Sequence, residues 1–473
     1  MLAAVLSAGL QTWACTAGKA KAPSTCGTYT VYEDRAAATG RTIALKFIVI
    51  HAAHRSNRAI VWNPGGPGAS ATVAADGIAD GDFSRELTAL RDRYDILLVD
   101  NRGTGGSALQ QCDFAPADRP QLYFAQLWPD DLVTRCRARL TQHADLSLYT
   151  TSIAADDLNQ LRGALGYPKL VLDGGSYGTR FYLIYARRHP ESVESIVLDG
   201  VAPPHFLIIP LEDARGAQDA MTNLVAECKS DAVCNSHFPQ LGPHFDALVR
   251  RFGTGTVGVP LADAKTRHVA TVRLSKEVFA DRLRQLLYFP ESAKYAPFIV
   301  DRAYRGDYAP LATMVNIVTL GFAQIVAAGL NLSVTCAEDI PFITESDVAA
   351  TSANSFEGDL RVRAQQRACR IWNVRPVAAS FNEPVRSDAP ILMISGSDDP
   401  TSPPQYAQRA LPYLPNARIL LIKNAGHGTE TTCSDALIVA FVRAQSARGL
   451  DLTRCAGNYH RPPFATSMAG FGD

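Results

Sequence analysis

Ser176 sits in Gly174-Gly175-Ser176-Tyr177-Gly178, the pattern G-x-S-x-G. A serine hydroxyl is a poor nucleophile at neutral pH unless a base takes its proton. Glycines on both sides permit a sharp strand-to-helix turn that lifts the hydroxyl clear of the backbone. Without that context, Ser176 would read as a helix N-cap. A base stands far downstream: His427 lies in Asn424-Ala425-Gly426-His427-Gly428, with glycines on either side. The other nine of the ten histidines lack such a setting. His51 and His54 read as surface residues of a turn, and His189 as a cation suited to a helix end. A carboxylate to orient the imidazole and stabilise its charged form is offered by Ser395-Gly396-Ser397-Asp398-Asp399-Pro400. Asp398 and Asp399 are neighbours, and one of them can simply cap the turn.

Acyl transfer also needs two aimed backbone N–H groups to hold the developing oxyanion. One is expected from Tyr177, directly after the serine. The other is expected from Asn63-Pro64-Gly65-Gly66-Pro67-Gly68, where Gly66 is the donor because neither proline has an N–H. A plain Pro/Gly turn would look the same; its place after an apolar strand gives it meaning.

These residues need a scaffold that brings them to one edge. Thr42–Ile50 and 59–62 read as strands, and 94–99 (YDILLV) as a strand buried on both faces. The stretch 151–165 has helical spacing, with Asp156 and Asp157 near its start. Strand 170–172, helix Tyr177–Arg188 and strand 195–198 come next. Strand, crossover and strand in alternation imply a parallel sheet with right-handed connections. From 211 to 377 the pattern is mostly helical, with helices expected over 211–228, 275–287 and 295–305. The sheet rhythm returns at 391–394 and 418–422 before a closing helix over 435–445. The expected order is an N-terminal segment (1–40), a first core part (41–203), a helical cap (204–385) and a second core part (386–473).

The chain has 473 residues, 47% hydrophobic and 19% charged, with zero formal net charge. That composition builds a real core and lacks the basic face a nucleic-acid partner requires. No apolar run reaches the roughly 18–20 residues needed to span a bilayer. The apolar stretch from Met1 to Leu10 reads either as the remnant of a signal peptide without its basic region or as a packed arm. Ten cysteines fall in close sequential pairs: Cys15/Cys26, Cys112/Cys136, Cys228/Cys234, Cys336/Cys369 and Cys433/Cys455. None makes a zinc-type CxxC repeat, so no metal is expected. Local disulfides in an oxidising compartment are expected, and buried reduced thiols are the alternative. Spacing alone does not fix connectivity.

Taken in order, NPGGPG (63–68), DNRGTGGS (100–107), GGSYGTR (174–180), VLDGV (197–201), GSDDPTSP (396–403) and AGHG (425–428) resemble the proline iminopeptidase and tripeptidyl aminopeptidase family of serine exopeptidases. The resemblance implies an α/β-hydrolase fold, a mostly parallel sheet flanked by helices, with a helical cap inserted after the strand ending near Asp199. It implies Asp399 as the acid, through the family's G-x-x-D-x-x-T/S-P pattern. Cys433–Cys455 fits the family's secreted members. Asn63 replaces the histidine that begins this loop in many relatives, which favours the tripeptidyl-like branch. Ser402 stands where threonine is common.

The resemblance implies a secreted enzyme that cleaves peptides near a free N-terminus, with a peptide as substrate and no cofactor. Such a substrate carries an ammonium, which once desolvated needs a carboxylate. Glu338 and Asp339, in Thr335-Cys336-Ala337-Glu338-Asp339, are the expected amine-binding pair, with surface acids as the plain alternative. A secreted carboxylesterase or lipase with the same triad, and a non-catalytic binding protein on a hydrolase fold, are the competing readings. Oligomeric state has no signature in the pattern.

Overall fold

The β-branched and apolar runs become strands of one large sheet. The computed structural model describes residues 9–204, 211–253, 255–262, 268–428, 431–457 and 459–472. The strands in chain order are β1 (Leu10–Ala17), β2 (Ala22–Tyr32), β3 (Thr42–Ile50), β4 (Ala59–Asn63), β5 (Asp95–Val99), β6 (Leu170–Gly175), β7 (Val193–Asp199), β8 (Thr256–Ala262), β9 (Val269–Ser275), β10 (Ile391–Gly396) and β11 (Ala417–Ile422). Nine of them form a sheet in the order β1-β2-β3-β5-β4-β6-β7-β10-β11, and β8 and β9 pair apart as an antiparallel hairpin. The first strands run antiparallel as far as the β3–β5 pair. From β5 to β11 every pairing is parallel.

A parallel sheet must be covered on both faces. One face of this sheet carries Leu97, Leu172, Leu198 and Met393 against the helix Tyr177–Arg188. The other carries Ile96, Val171, Val197 and Leu392 against the helix Thr432–Ala444. Register then sets where the loops emerge. Asn63 pairs with Gly174, Gly175 with Asp199, Asp199 with Ile394, and Gly396 with Ile422. The loops after β4, β6, β7, β10 and β11 therefore open at one carboxyl edge. Because β5 lies on the opposite side of β4 from β6, that edge holds a topological switch point, where open α/β sheets bind ligands.

Several expectations need correction. The apolar stretch from Met1 to Leu10 falls almost wholly outside the described residues. Within the rest of the expected N-terminal segment, β1 and β2 extend the sheet by two strands that the sequence pattern did not reveal. Their polar, threonine-rich alternation suits an edge with one face in water. The region expected to be mostly helical contains the β8–β9 hairpin. The cap has its own apolar core, which draws on Leu224, Phe245, Phe279 and Ile299. It also recruits Tyr123 and Phe124 from the helix Pro120–Ala125, and Phe464 and Phe471 from the C-terminal segment, which the expected boundaries assign to the core parts.

The ten cysteines are joined as Cys15–Cys26, Cys112–Cys136, Cys228–Cys234, Cys336–Cys369 and Cys433–Cys455. Among the described residues no helix is long and apolar enough to cross a membrane.

Candidate active site

The turn after β6 is strained in a way only small neighbours permit. Ser176 has φ 54° and ψ −124°, a left-handed backbone for a non-glycine residue. A Cβ on Gly174 would lie 2.7 Å from the Gly178 carbonyl oxygen, and one on Gly178 would lie 2.5 Å from the Asn63 carbonyl oxygen. Gly174 is thus set by the folding of the turn onto its own helix, and Gly178 by the close approach of Asn63 at the end of β4. The Ser176 N–H is held by the Asp199 carbonyl at 2.8 Å, tying the turn to the end of β7.

His427 stands on the loop after β11. Its Nδ1 lies 2.8 Å from Asp399 Oδ2. Ser402 Oγ donates to the same carboxylate oxygen at 2.7 Å and lies 3.0 Å from His427 Nδ1. The other oxygen of Asp399 accepts the Thr401 and Ser402 N–H groups, each at 2.9 Å. Burial works against charge on Asp399, yet His427 and these donors hold its carboxyl below the ordinary range. Burial works against charge on His427 as well, but the Asp399 carboxylate holds the imidazole above its ordinary value. A second carboxyl, Asp199, is pushed up to about 7 by burial, with His427 opposing. The cap reaches this loop too: the Tyr288 carbonyl accepts the His427 N–H at 2.7 Å. A Cβ on Gly426 would lie 2.2 Å from that carbonyl oxygen, which accounts for the glycine before the histidine.

The loop 63–68 lies against the serine turn. A Cβ on Gly65, whose φ is +96°, would meet the Gly175 carbonyl oxygen at 2.6 Å and the Tyr177 nitrogen at 3.1 Å. Tyr177 opens a helix, so its N–H has no acceptor within that helix. Asp100 anchors the segment just after the loop: its carboxylate accepts from Ser70 Oγ (2.6 Å), Thr72 N (3.0 Å), Thr72 Oγ1 (2.9 Å) and Gly106 N (2.8 Å). Buried Arg102 fixes the same turn to Asp157 at 2.6 Å. The DNRGTGGS motif is therefore a brace for the neighbouring loop.

Ser176, Tyr177, Gly66, Ser402 and His427 line one cavity of about 530 Å³ between core and cap. Much of its wall is apolar, with Phe114, Tyr123, Trp128, Phe289 and Phe322 among the lining residues. One end is charged: Asp213, Asp281, Arg282, Arg284 and Arg361 also line it. Asp281 is the hub, taking Arg282, Arg284 Nη2 (2.7 Å) and Arg361 Nε (3.3 Å). Burial opposes its charge, but the three guanidinium groups hold its carboxyl down at about 2.

Glu338 and Asp339 are not brought to the cavity, which corrects the expectation that they meet a substrate amine. Both are fully buried. Glu338 accepts from Thr151 N at 2.6 Å and Thr151 Oγ1 at 2.7 Å, and Thr151 Oγ1 lies 2.6 Å from the Tyr177 hydroxyl. Asp339 takes Arg180 Nη1 at 2.9 Å. Both acids thus brace the helix after Ser176 from behind. Burial, opposed by Arg180, pushes Glu338 up to about 7 and Asp339 up to about 6. Sequence reasoning missed the arginine cluster, Tyr288 and the bridging role of Ser402. Only the S/T position of the acid motif hinted at any of them.

Comparison with known proteins agrees with this architecture. Residues 58–234 match the family model described as alpha/beta hydrolase fold, and residues 355–453 match the one described as TAP-like protein. A protein named serine protease Hip1, from Mycobacterium tuberculosis, is 32% identical over 224 residues, 44% of this chain and 42% of that one. A tripeptidyl aminopeptidase of Streptomyces lividans is 31% identical over 38% of this chain and 36% of its own. A proline iminopeptidase of Xylella fastidiosa is 40% identical over 110 residues, 23% of this chain and 25% of its own. The matches thus span less than half the length of these relatives. The chain thus has the α/β-hydrolase fold, its residues 355–453 match the TAP-like model, and the relatives it resembles are named as serine peptidases.

Proposed function

We propose that this chain is a secreted serine exopeptidase of the tripeptidyl or prolyl aminopeptidase type, acting through Ser176, His427 and Asp399. In this reading His427 takes the Ser176 proton as the hydroxyl attacks the scissile carbonyl. The Gly66 and Tyr177 N–H groups receive the oxyanion. The proton passes to the leaving amine, and water then releases the acyl group by the same path. Asp399 holds the tautomer in which Nδ1 carries the proton, leaving the other ring nitrogen as base. The observation that carries the reading is His427, fixed by Asp399 at 2.8 Å and facing the same cavity as the strained Ser176. The named relatives support peptide substrates, and five disulfides support an oxidising compartment.

Fluorophosphonate labelling of the wild type, absent in Ser176→Ala, is the first test. Failure to label either protein would leave a binding protein on a hydrolase fold. Tripeptidyl and prolyl amides with free N-termini should then be cleaved at least tenfold faster than their blocked forms. A specific observation favours the second reading, a carboxylesterase: Glu338 and Asp339 lie away from the cavity, so the expected amine partner is missing from a largely apolar wall. Faster turnover of short esters, with no preference for a free amine, would select it.

A further inference from the structure

We propose that Arg282 and Arg361 form a carboxylate-binding subsite in the cavity that also holds Ser176. The inference rests on the hydrolase reading of Ser176 and adds the chemical class of substrate it takes. Arg282 belongs to the helix Lys276–Leu286 and Arg361 to the helix Leu360–Trp372, and both line the cavity.

Their guanidinium groups are held but not saturated. Arg282 donates from Nε to Thr319 Oγ1 at 2.7 Å, and from Nη1 to Asp281 and to Gln285 Oε1 at 3.1 Å. Arg361 donates from Nη1 to Gln365 Oε1 at 3.2 Å, and its guanidinium carbon lies 4.5 Å from the centre of the Trp128 ring. Among the described residues, neither Nη2 has a hydrogen-bond acceptor. Arg284, the third arginine of the cluster, is committed to the protein. Its Nη1 donates to the Tyr288 hydroxyl at 2.6 Å and its Nη2 to Asp281 at 2.7 Å. Arg361 Nε also pairs with Asp213 at 3.4 Å and Asp281 at 3.3 Å, so on Arg282 and Arg361, which both line the cavity, it is Nη2 that is left without a protein acceptor among the described residues.

The local charge is also incomplete. Three guanidinium groups face Asp213, Asp281 and Glu357. Neither oxygen of buried Glu357 accepts a hydrogen bond. Burial pushes its carboxyl up to about 8, with Arg284 opposing, so near neutral pH it is mostly protonated. The three guanidinium groups then share Asp213 and Asp281 as their ion-pair partners. An uncompensated charge there calls for a counter-ion, and the guanidinium fork fits a carboxylate. Burial lowers Arg282 below its ordinary value despite Asp281, and Arg361 and Arg284 add to the lowering, as expected of a cation short of partners. A substrate ammonium brought to the same place would add a fourth cation.

The subsite adjoins the reacting groups. Arg284 holds the Tyr288 hydroxyl, while the Tyr288 carbonyl holds the His427 N–H. Thr401 donates its hydroxyl to Asp213 at 2.8 Å and its N–H to Asp399 at 2.9 Å. A carboxylate seated on Arg282 and Arg361 therefore belongs to a residue close to the scissile bond. It is supplied either by an aspartate or glutamate side chain or by the C-terminal carboxylate of a short peptide.

Matched substrates test this with the wild-type protein. Unblocked peptides carrying Glu or Gln at each position in turn, with free or amidated C-termini, are compared by kcat/KM. One carboxylate position should exceed its neutral amide by about 10- to 100-fold, the worth of a charge-assisted pair. A preference tracking the Glu/Gln change assigns a side chain, and one tracking C-terminal amidation assigns the terminal carboxylate. The ratio should fall toward one in Arg361→Gln and Arg282→Gln and be intermediate in Arg361→Lys, which keeps the charge but loses the fork. A wild-type ratio of one or below at every position, or an unchanged ratio in both glutamine variants, overturns the subsite. If no peptide is cleaved, p-nitrophenyl hemisuccinate is compared with p-nitrophenyl butyrate. Preference for the hemisuccinate keeps the subsite while rejecting the peptidase reading, and parity rejects the subsite.

Discussion

Asp398 and Asp399 are adjacent in the chain and turn their carboxylates into separate networks. Asp399 faces His427 at 2.8 Å, while Asp398 accepts from Asn223 Nδ2 at 3.0 Å and Arg461 Nη2 at 2.9 Å. Arg461 also pairs through Nε with Glu227 at 2.6 Å. Asp398 is thus a fastener between the second core part, the helix Asp213–Ser230 and the C-terminal segment.

The two asparagine variants should separate accordingly. Asp399→Asn is expected to lower kcat by roughly 10⁴ with little change in folding, because the imidazole loses its orienting charge. Asp398→Asn is expected to leave kcat near the wild-type value and to lower stability by about 1–3 kcal/mol, through a buried guanidinium deprived of one partner. Steady-state kinetics and thermal unfolding on the same preparations check both. A large loss of kcat in Asp398→Asn would reverse the assignment.

Ser402 donates its hydroxyl to the oxygen of Asp399 that faces His427. Removing it in Ser402→Ala leaves that oxygen with one fewer donor and the imidazole with more freedom. The expected loss in kcat is about tenfold, in line with one hydrogen bond to a charged group. Ser402→Thr keeps the hydroxyl and should retain most activity. Equal losses in both variants would show that shape, not the hydroxyl, is what matters there.

Much of the site was legible because its demands are local. The glycines around Ser176 and His427 mark places where backbone meets backbone, and distances of 2.2–2.7 Å to an added Cβ explain Gly174, Gly178 and Gly426. Buried strands such as Asp95–Val99 announce themselves by unbroken apolar runs. The choice between Asp398 and Asp399 needed the family pattern, since no local rule separates neighbouring acids. Glu338 and Asp339 were misplaced because two acids in a row do not reveal which way their helix faces. The cluster of Asp213, Asp281 with Arg282 and Arg284, and Glu357 with Arg361 comes from three distant segments, so only the folded cap assembles it. β1 and β2 escaped notice because their alternation is threonine-rich and polar.

The imidazole sets the acid limb of activity. A general base must be neutral, and the Asp399 charge holds His427 above its ordinary value against the effect of burial. Activity should therefore fall on acidification through a midpoint above about 6.5. The Asp199 charge adds to that upward pull. Asp199→Asn should accordingly move the limb of kcat/KM to lower pH. A limb that stays in place, or moves up, would show that Asp199 does not act on the imidazole.

Glu357 predicts the sign of a stability change with pH. Burial holds its carboxyl at about 8 in the folded chain, against 4.5 for a free glutamate. Between these values the folded chain keeps a proton that the unfolded chain has released. Its contribution is fully present below the lower value and is lost as pH rises through the upper one. Asp281 runs the other way: held at about 2, it contributes above the ordinary carboxylate range and loses that contribution only in strong acid. From about pH 5 to 8, the wild-type Tm should therefore carry a downward component that Glu357→Gln removes, since glutamine keeps the shape without the titration. Thermal unfolding of both proteins at matched ionic strength measures it. Parallel Tm profiles across that range would mean that the Glu357 carboxyl titrates alike in the folded and unfolded chains, and that Arg284 neutralises the cost of its burial.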